Sequence, residues 1–304
     1  MWISDKWKDF ELIDCSRGER LERWGDVFLV RPDPQVIWKT PRKHPGWDNP
    51  NAGYIRSEGG GGKWKIRSLP GSWKICYGGL AFNIKAMNFK HTGIFPEQAA
   101  NWDYITDKIK SANRPVSVLN LFAYTGAATA AAARAGASVC HVDSAKGMVA
   151  IARDNIAASG LAGRPVRLIV DDCLRFIRRE IKRGRRYDAV IMDPPSYGRG
   201  PSGEIWKLEE NLWQLAEAVS DALSGNPLFV LISSYTSGLS PGTLKYIADS
   251  VFTAKFKGRS ESGELGLPVT ESGLALPCGA SCRWERKCLA PESSRHGKTT
   301  LYPC

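Results

Sequence analysis

The sequence predicts an α/β fold of the doubly wound kind: a mostly parallel sheet closed by a terminal antiparallel hairpin and preceded by a small β-rich domain. Three observations predict it. Residues 116–143 read as a buried strand, a glycine turn, an alanine-rich helix and a second strand. Short apolar runs then alternate with helix-length segments as far as Val251. The first 78 residues break that rhythm with tryptophans, prolines and glycines.

Those first residues hold seven of the 11 tryptophans (Trp2, Trp7, Trp24, Trp38, Trp47, Trp64 and Trp73), cut into short runs. Val27 to Val30, Val36 to Trp38 and Trp64 to Ile66 are expected as strands, with Glu58 to Lys63 as a glycine loop. Tryptophans at this density usually fill a small core. Interleaved with Arg31, Lys39, Arg42, Lys43, Lys63, Lys65 and Arg67, they are also a composition that stacks on and flanks RNA bases. The boundaries expected are 1–78 for this domain, 79–286 for the sheet domain and 287–304 for a polar tail.

Leu80 to Ile84 alternates as a strand, and Phe89 to Gln98, with Gly93 and Pro96, leads into a helix from Glu97 to Lys110. The first sheet strand is Val116 to Leu121. Gly126 starts a helix of small residues that Gly136 closes, and the second strand, Ala137 to Val142, ends on Asp143. A helix over 146–159, the strand Val166 to Val170 and the pair Asp171-Asp172 follow. The next helix carries Arg175, Arg178, Arg179, Lys182 and Arg186 on one face by spacing, which reads as solvated. Tyr187 to Met192 leads into Asp193-Pro-Pro-Ser-Tyr-Gly198. A helix over 207–223, the strand Pro227 to Ile232, a helix from Pro241 to about Val251, and a hairpin of 265–270 with 274–284 complete the pattern.

The carboxyl ends of parallel strands are where such sheets bind ligands. Asp143 follows Gly126 by 17 residues, close to the spacing of a ribose-binding acid behind a glycine turn, so an adenosine ligand is expected. Tyr124-Thr-Gly-Ala-Ala-Thr129 has one glycine where a pyrophosphate cradle needs three, which disfavours phosphate. A carboxylate of the Asp171-Asp172 pair, at the carboxyl end of the third strand, can accept from an adenine amino group. The two prolines after Asp193 fix the backbone and leave carbonyl oxygens as acceptors, a geometry that grips a nitrogen donor.

Composition narrows the class. The chain has 304 residues, 43% of them hydrophobic, enough for one large core or a core plus a satellite domain. No run reaches the roughly 18 apolar residues of a membrane helix, and the amino terminus lacks a signal core, so a cytoplasmic protein with no membrane partner is expected. The eight cysteines include no Cys-x-x-Cys pair and are expected reduced. Cys278, Cys282 and Cys288 match no common zinc spacing, so no metal is expected. The net charge of +11 favours a polyanionic partner.

Phe89 to Gln98, Asn120 to Gly126, His141 to Ser144, Asp193 to Gly200 and Leu276 to Gly279 together resemble the Rossmann-like class I S-adenosylmethionine-dependent methyltransferases, and within them the bacterial large-subunit ribosomal-RNA base methyltransferases. The resemblance implies a seven-stranded sheet, S-adenosylmethionine as cofactor and ribosomal RNA as partner. It implies cofactor contacts from Phe95, Gln98, Phe122, Tyr124, Thr125, Gly126, Asp143, Asp172 and Asp193. Asp193, Pro194 and Pro195 would lie between the methyl and its target, and Tyr197 would stack on the base. Carbon-5 cytosine methylation needs a thiolate. The loops after the fourth and fifth strands, Asp193-Pro-Pro-Ser196 and Ser233-Ser-Tyr-Thr-Ser-Gly238, hold none, so a base nitrogen is the expected target. Two other functions stay open at this stage: methylation of a small molecule or protein, and a non-catalytic RNA-binding relative.

Overall fold

Alternating apolar residues joined by tight glycine turns build the first sheet. The computed structural model describes residues 1–57, 61–87, 90–199 and 205–287. Its first strands are β1 (Trp2–Ile3), β2 (Phe10–Ser16), β3 (Glu19–Trp24), β4 (Val27–Pro32), β5 (Ala52–Arg56) and β6 (Gly62–Ile66). β2 to β6 form one sheet in sequence order, antiparallel except between β4 and β5. Arg17 and Gly18, at φ 53° and 79°, make the two-residue left-handed turn that matches strand twist. Val36 to Trp38 is not the strand that was expected. Its carbonyls accept from that turn instead, Trp38 from the Arg17 amide at 2.8 Å and Val36 from the Gly18 amide at 2.7 Å. Pro34 just before it could offer no ladder donor. Within the glycine loop, residues 58–60 lie outside the described residues.

β7 (Trp73–Tyr77) and β8 (Leu80–Ile84) form a hairpin that straddles residue 78. Its Ile75, Phe82 and Ile84 are buried with Trp24 on one side and Trp102, Ile105 and Val118 on the other, so one apolar core runs from the first sheet into the second. The tryptophans serve this packing. Trp24 is fully buried, and the indoles of Trp64, Trp73 and Trp47 donate to Met87 O, Trp24 O and the Asp14 carboxylate.

A 3-10 turn, Pro96–Gln98, opens α1 (Ala99–Ser111). Then follow β9 (Ser117–Leu121), α2 (Ala127–Arg134), β10 (Ser138–Asp143), α3 (Lys146–Ala158), β11 (Val166–Val170), α4 (Cys173–Lys182) and β12 (Ala189–Met192). The sequence did not announce the next pair, β13 (Tyr197–Arg199) with β14 (Ile205–Lys207). α5 (Leu208–Ala222), β15 (Phe229–Ser234), α6 (Pro241–Ala248), a π-helical turn at Asp249–Thr253, α7 (Ala254–Phe256), β16 (Gly258–Pro268) and β17 (Ala275–Arg286) complete the chain. The large sheet has the order β1-β16-β17-β15-β12-β9-β10-β11. Its seven expected strands are there, parallel from β11 to β15 and antiparallel at β17, and β1 adds a short eighth along β16.

Alternation sorts the strand residues into two layers. Val118, Ile191 and Leu231 pack under α1 and α2, while Leu119, Val190 and Ile232 pack under α4 and α5. A register shift opposite Leu265 and Gly266 breaks this alternation in β17. Cys278 therefore joins the first layer and Cys282 the second, on opposite faces of the sheet, where they do not share one ion. Cys288 lies outside the described residues, as does the tail from 288 on. The basic helix face is shorter than its spacing implied: α4 stops at Lys182, Gly184 turns at φ 71°, and Arg186 lies beyond the helix.

Candidate active site

The turn after β9 is the most constrained backbone of the chain. Phe122, Tyr124 and Gly126 have φ of 54°, 48° and 83°, and non-glycine residues hold such values only where surroundings compel them. Asp143 compels this turn. Its carboxylate accepts from the Tyr124 amide and from the Ala145 amide, both at 2.8 Å. Burial pushes the Asp143 carboxyl up from its ordinary value, and the two amides pull it back. Gly126 answers a second demand, since a Cβ there would stand 2.9 Å from the Ala152 side chain of α3.

The segment before α1 closes against this turn. The Thr125 hydroxyl donates to Gly93 O, and the Phe95 ring packs on Tyr124 and Tyr235 at 5.6 and 5.5 Å. Gln98 is oriented from both ends. Its carbonyl accepts from Asn101 Nδ2 at 2.9 Å, which turns its amide nitrogen toward the Tyr235 hydroxyl at 3.0 Å and Asp193 Oδ2 at 3.5 Å. Asn101 is held in turn by Arg283 at 2.9 Å.

Asp193 stands at the carboxyl end of β12. Withdrawal from water raises its carboxyl to about 7, with the nearby Glu97 carboxylate adding repulsion. Glu97 is buried, and its Oε2 has no hydrogen-bond partner among the described residues. Burial raises the Glu97 carboxyl as well. Neither carboxyl is in an ion pair among the described residues, and Glu97 acts on Asp193 from behind the cleft wall.

Part of this neighbourhood lines one cleft at the carboxyl edge of the sheet. It brings together Phe95, Gln98, Phe122, Tyr124, Thr125, Gly126 and Asp193 from the sequence expectations. Asp143 lies beneath the turn rather than on the cleft wall. Asp172 caps α4, accepting from the Arg175 amide at 2.7 Å, a role its position before an apolar helix start foreshadows. Pro194 is buried, whereas Pro195 and Tyr197 are exposed, Tyr197 by 52%. One expectation needs correction: the Pro195 carbonyl is not an open acceptor, because the Trp206 indole donates to it at 2.7 Å. Trp206 also packs on Phe122 at 5.1 Å, fastening the β13–β14 hairpin to the glycine turn.

Sequence reasoning missed Glu97, Asn101, Tyr235 and Trp206 as parts of this neighbourhood. Tyr235 had a signal, since it follows the fifth strand at its carboxyl end. Glu97 and Asn101 had none, because only the packing of α1 across β15 and β17 brings them in.

The chemistry of the cleft suits a cationic, phosphate-free adenosyl group. No Lys or Arg is among the residues that line it, and Ile94, Trp102, Ile105 and Leu231 give it apolar walls. Asp143 keeps lone pairs beyond the two it gives to the turn. Asp193, on the cleft wall and in no ion pair among the described residues, favours a positive ligand.

Comparison with known proteins agrees. A family model described as S-adenosylmethionine-dependent methyltransferase matches residues 59–226. A solved S-adenosylmethionine-dependent methyltransferase from Agrobacterium tumefaciens is 34% identical, with a TM-score of 0.89 over 94% of this chain and 93% of that one. A Streptococcus mutans methyltransferase, 20% identical with a TM-score of 0.72, covers 92% of this chain and 76% of its own, and shares the fold. The ribosomal RNA large subunit methyltransferase K/L of Shewanella frigidimarina is 31% identical over 148 residues, which are 48% of this chain and 19% of that protein. The chain therefore matches about a fifth of the length of that relative. Fold, cleft and family match, the last over more than half of its residues, establish that this chain belongs to the S-adenosylmethionine-dependent methyltransferases.

Proposed function

We propose that the chain methylates a nitrogen of an RNA base, with ribosomal RNA as the substrate. The observation that carries this reading is Asp193, a carboxylate at the cleft whose proton affinity lies near neutrality, in a molecule whose described cysteines are unsuited to nucleophilic attack. Burial raises every one of those thiols: Cys15 to about 11, Cys282 to about 12, and Cys76, Cys140, Cys173 and Cys278 upward. A thiol shifted this way is not a thiolate at neutral pH. Cys76, the exposed one, sits in β7.

S-adenosylmethionine supplies a methyl group on a positively charged sulfur. Asp143 would hold the ribose hydroxyls, Asp172 the adenine amino group, and the glycine turn with Phe95 and Gln98 the remainder. Asp193, deprotonated, accepts a hydrogen bond from an amino or imino group of the base and aims its nitrogen lone pair. As that nitrogen gains the methyl it loses a proton, and a carboxylate with a value near 7 is matched to receive it. Gln98 keeps the carboxylate in place, and Pro194 and Pro195 stiffen the loop. Tyr197, at the exposed rim, stacks on the base. Catalysis on this account is mainly positioning. The basic charge of +11 and the named relative support RNA over a small molecule or protein.

RNA containing 5-fluorocytidine tests the reading, because it traps thiolate-dependent enzymes as stable adducts. We expect no crosslinked species on a denaturing gel. A stable adduct lost when one cysteine is replaced by alanine overturns the nitrogen assignment.

A further inference from the structure

Charge is spread unevenly over the chain. Residues 164–186 hold nine of the 42 Lys and Arg but three of the 31 Asp and Glu, so this short span carries +6 of the net +11. The fold gathers part of it at one place. Arg164, Arg167, Arg185 and Arg186 line an open hollow, floored by Ser117 and Ser138 at the starts of β9 and β10. This is the amino edge of the sheet, opposite the cleft. Along β10, whose five steps rise ~3.3 Å each, the two edges stand roughly 17 Å apart.

Local acids leave most of this charge uncompensated. The buried Glu180 serves Arg167, Arg183 and Arg185 together, at 3.6, 3.2 and 3.8 Å, and also accepts from the Tyr187 hydroxyl at 2.7 Å. Asp188, the next carboxylate, is paired with Arg114 at 2.9 Å. Asp171 is taken by Arg175 and Arg179. Arg164 and Arg186 have no carboxylate partner among the described residues. Several guanidiniums around one neutralised acid form a set of donors for phosphate oxygens, which they can grip bidentately.

We infer that the hollow of Arg164, Arg167, Arg185 and Arg186 is a second RNA contact, holding backbone phosphates of the substrate at the edge of the sheet away from the cleft. The inference rests on the RNA reading and adds a geometric condition: a substrate must reach around the sheet to use both edges. A long folded RNA does so, and a short oligonucleotide at the cleft does not.

The test compares the double variant Arg164→Ala/Arg186→Ala with wild type in RNA binding across a salt series. Neither side chain has a carboxylate partner among the described residues, so the fold is expected to survive, and an unchanged affinity for S-adenosylmethionine verifies this. Lys255→Ala/Arg259→Ala removes the same charge from the far side of the molecule as a control. The probes are whole large-subunit ribosomal RNA and a short single-stranded oligonucleotide. For the long RNA, the slope of log affinity against log salt should shrink by about 1 to 2 in the Arg164/Arg186 variant, with affinity several-fold weaker at low salt. The short RNA and the control variant should show little change. An unchanged slope for long RNA, or an equal loss in the control, overturns the second contact while leaving the RNA reading intact. A wild type that binds neither RNA with any salt dependence overturns both.

Discussion

Two groups of carboxyls withdrawn from water, one in the first sheet and one at the cleft, are treated in opposite ways. Glu22 in β3 is fully buried and held by two guanidiniums, Arg31 through two bonds of 2.6 and 2.7 Å and Arg20 at 2.9 Å. Burial alone would raise its carboxyl, yet these charges bring it below its ordinary value. Asp193 and Glu97 are in no ion pair among the described residues, and burial leaves both raised even though Arg20 and Arg31 pull Glu97 back from a distance. Paired charge is structure. Unpaired charge at a cleft is chemistry in waiting, and the difference is a matter of which cations the fold leaves nearby.

The contrast can be broken most forcefully at Glu22. Glu22→Ala strands the buried Arg31 guanidinium and leaves Arg20 only Asp33 at 3.5 Å, and should cost about 3 to 5 kcal/mol, read as a large fall in Tm by calorimetry. A shift of a degree or less would make the network ornamental. The sign with pH follows from the lowered carboxyl: Glu22 contributes above its unfolded value near ~4.3 and that contribution is lost as pH falls through the folded value.

Asp193→Ala is expected to act the other way, removing function and sparing the fold. Methyl transfer should fall by roughly 100-fold or more, on the scale of losing one preorganised acceptor, while Tm holds or rises because a desolvated carboxyl is gone. A protein that unfolds instead would place Asp193 with the structural carboxyls. Asp143→Ala comes next. Losing the acceptor of the Tyr124 and Ala145 amides and, on the proposed reading, of the ribose should weaken S-adenosylmethionine binding several-fold or more in calorimetry. Unchanged affinity would remove Asp143 from the cofactor site.

The smallest effect sharpens the comparison inside the cleft. Asp193 must be deprotonated to accept from the base, so kcat/KM should rise with pH through about 7 and level off above it. Glu97→Gln removes the repelling charge and should move that rise to lower pH. A profile that stays in place would mean that Glu97 does not act on Asp193.

Local signals made much of this readable from the sequence. Gly126, the alanine run and Asp143 marked the turn, its helix and an acid at the next strand end, because each feature is local or lies one strand away; that Asp143 fixes the turn came only with the structure. The paired prolines marked the Asp193 loop. What stayed hidden depends on contacts distant in sequence. The Trp206 bond that occupies the Pro195 carbonyl follows from a hairpin no alternation announced. Glu97 reads in the sequence as an ordinary helix-start acid, and its burial beside Asp193 comes from α1 crossing the sheet. Val36 to Trp38 misled because β-branched and aromatic residues favour a strand only where a partner ladder is free. The register shift at Cys278 likewise has no local mark, and it decides that Cys278 and Cys282 face different layers.

The most direct test of the central claim is the identity of the methylated atom. RNA methylated by the wild-type protein and by Asp193→Ala would be digested to nucleosides and resolved by mass spectrometry against standards. The account predicts a nitrogen-methylated nucleoside with the wild type and its near absence with Asp193→Ala. A 5-methylpyrimidine, or a product that persists undiminished in Asp193→Ala, would contradict it.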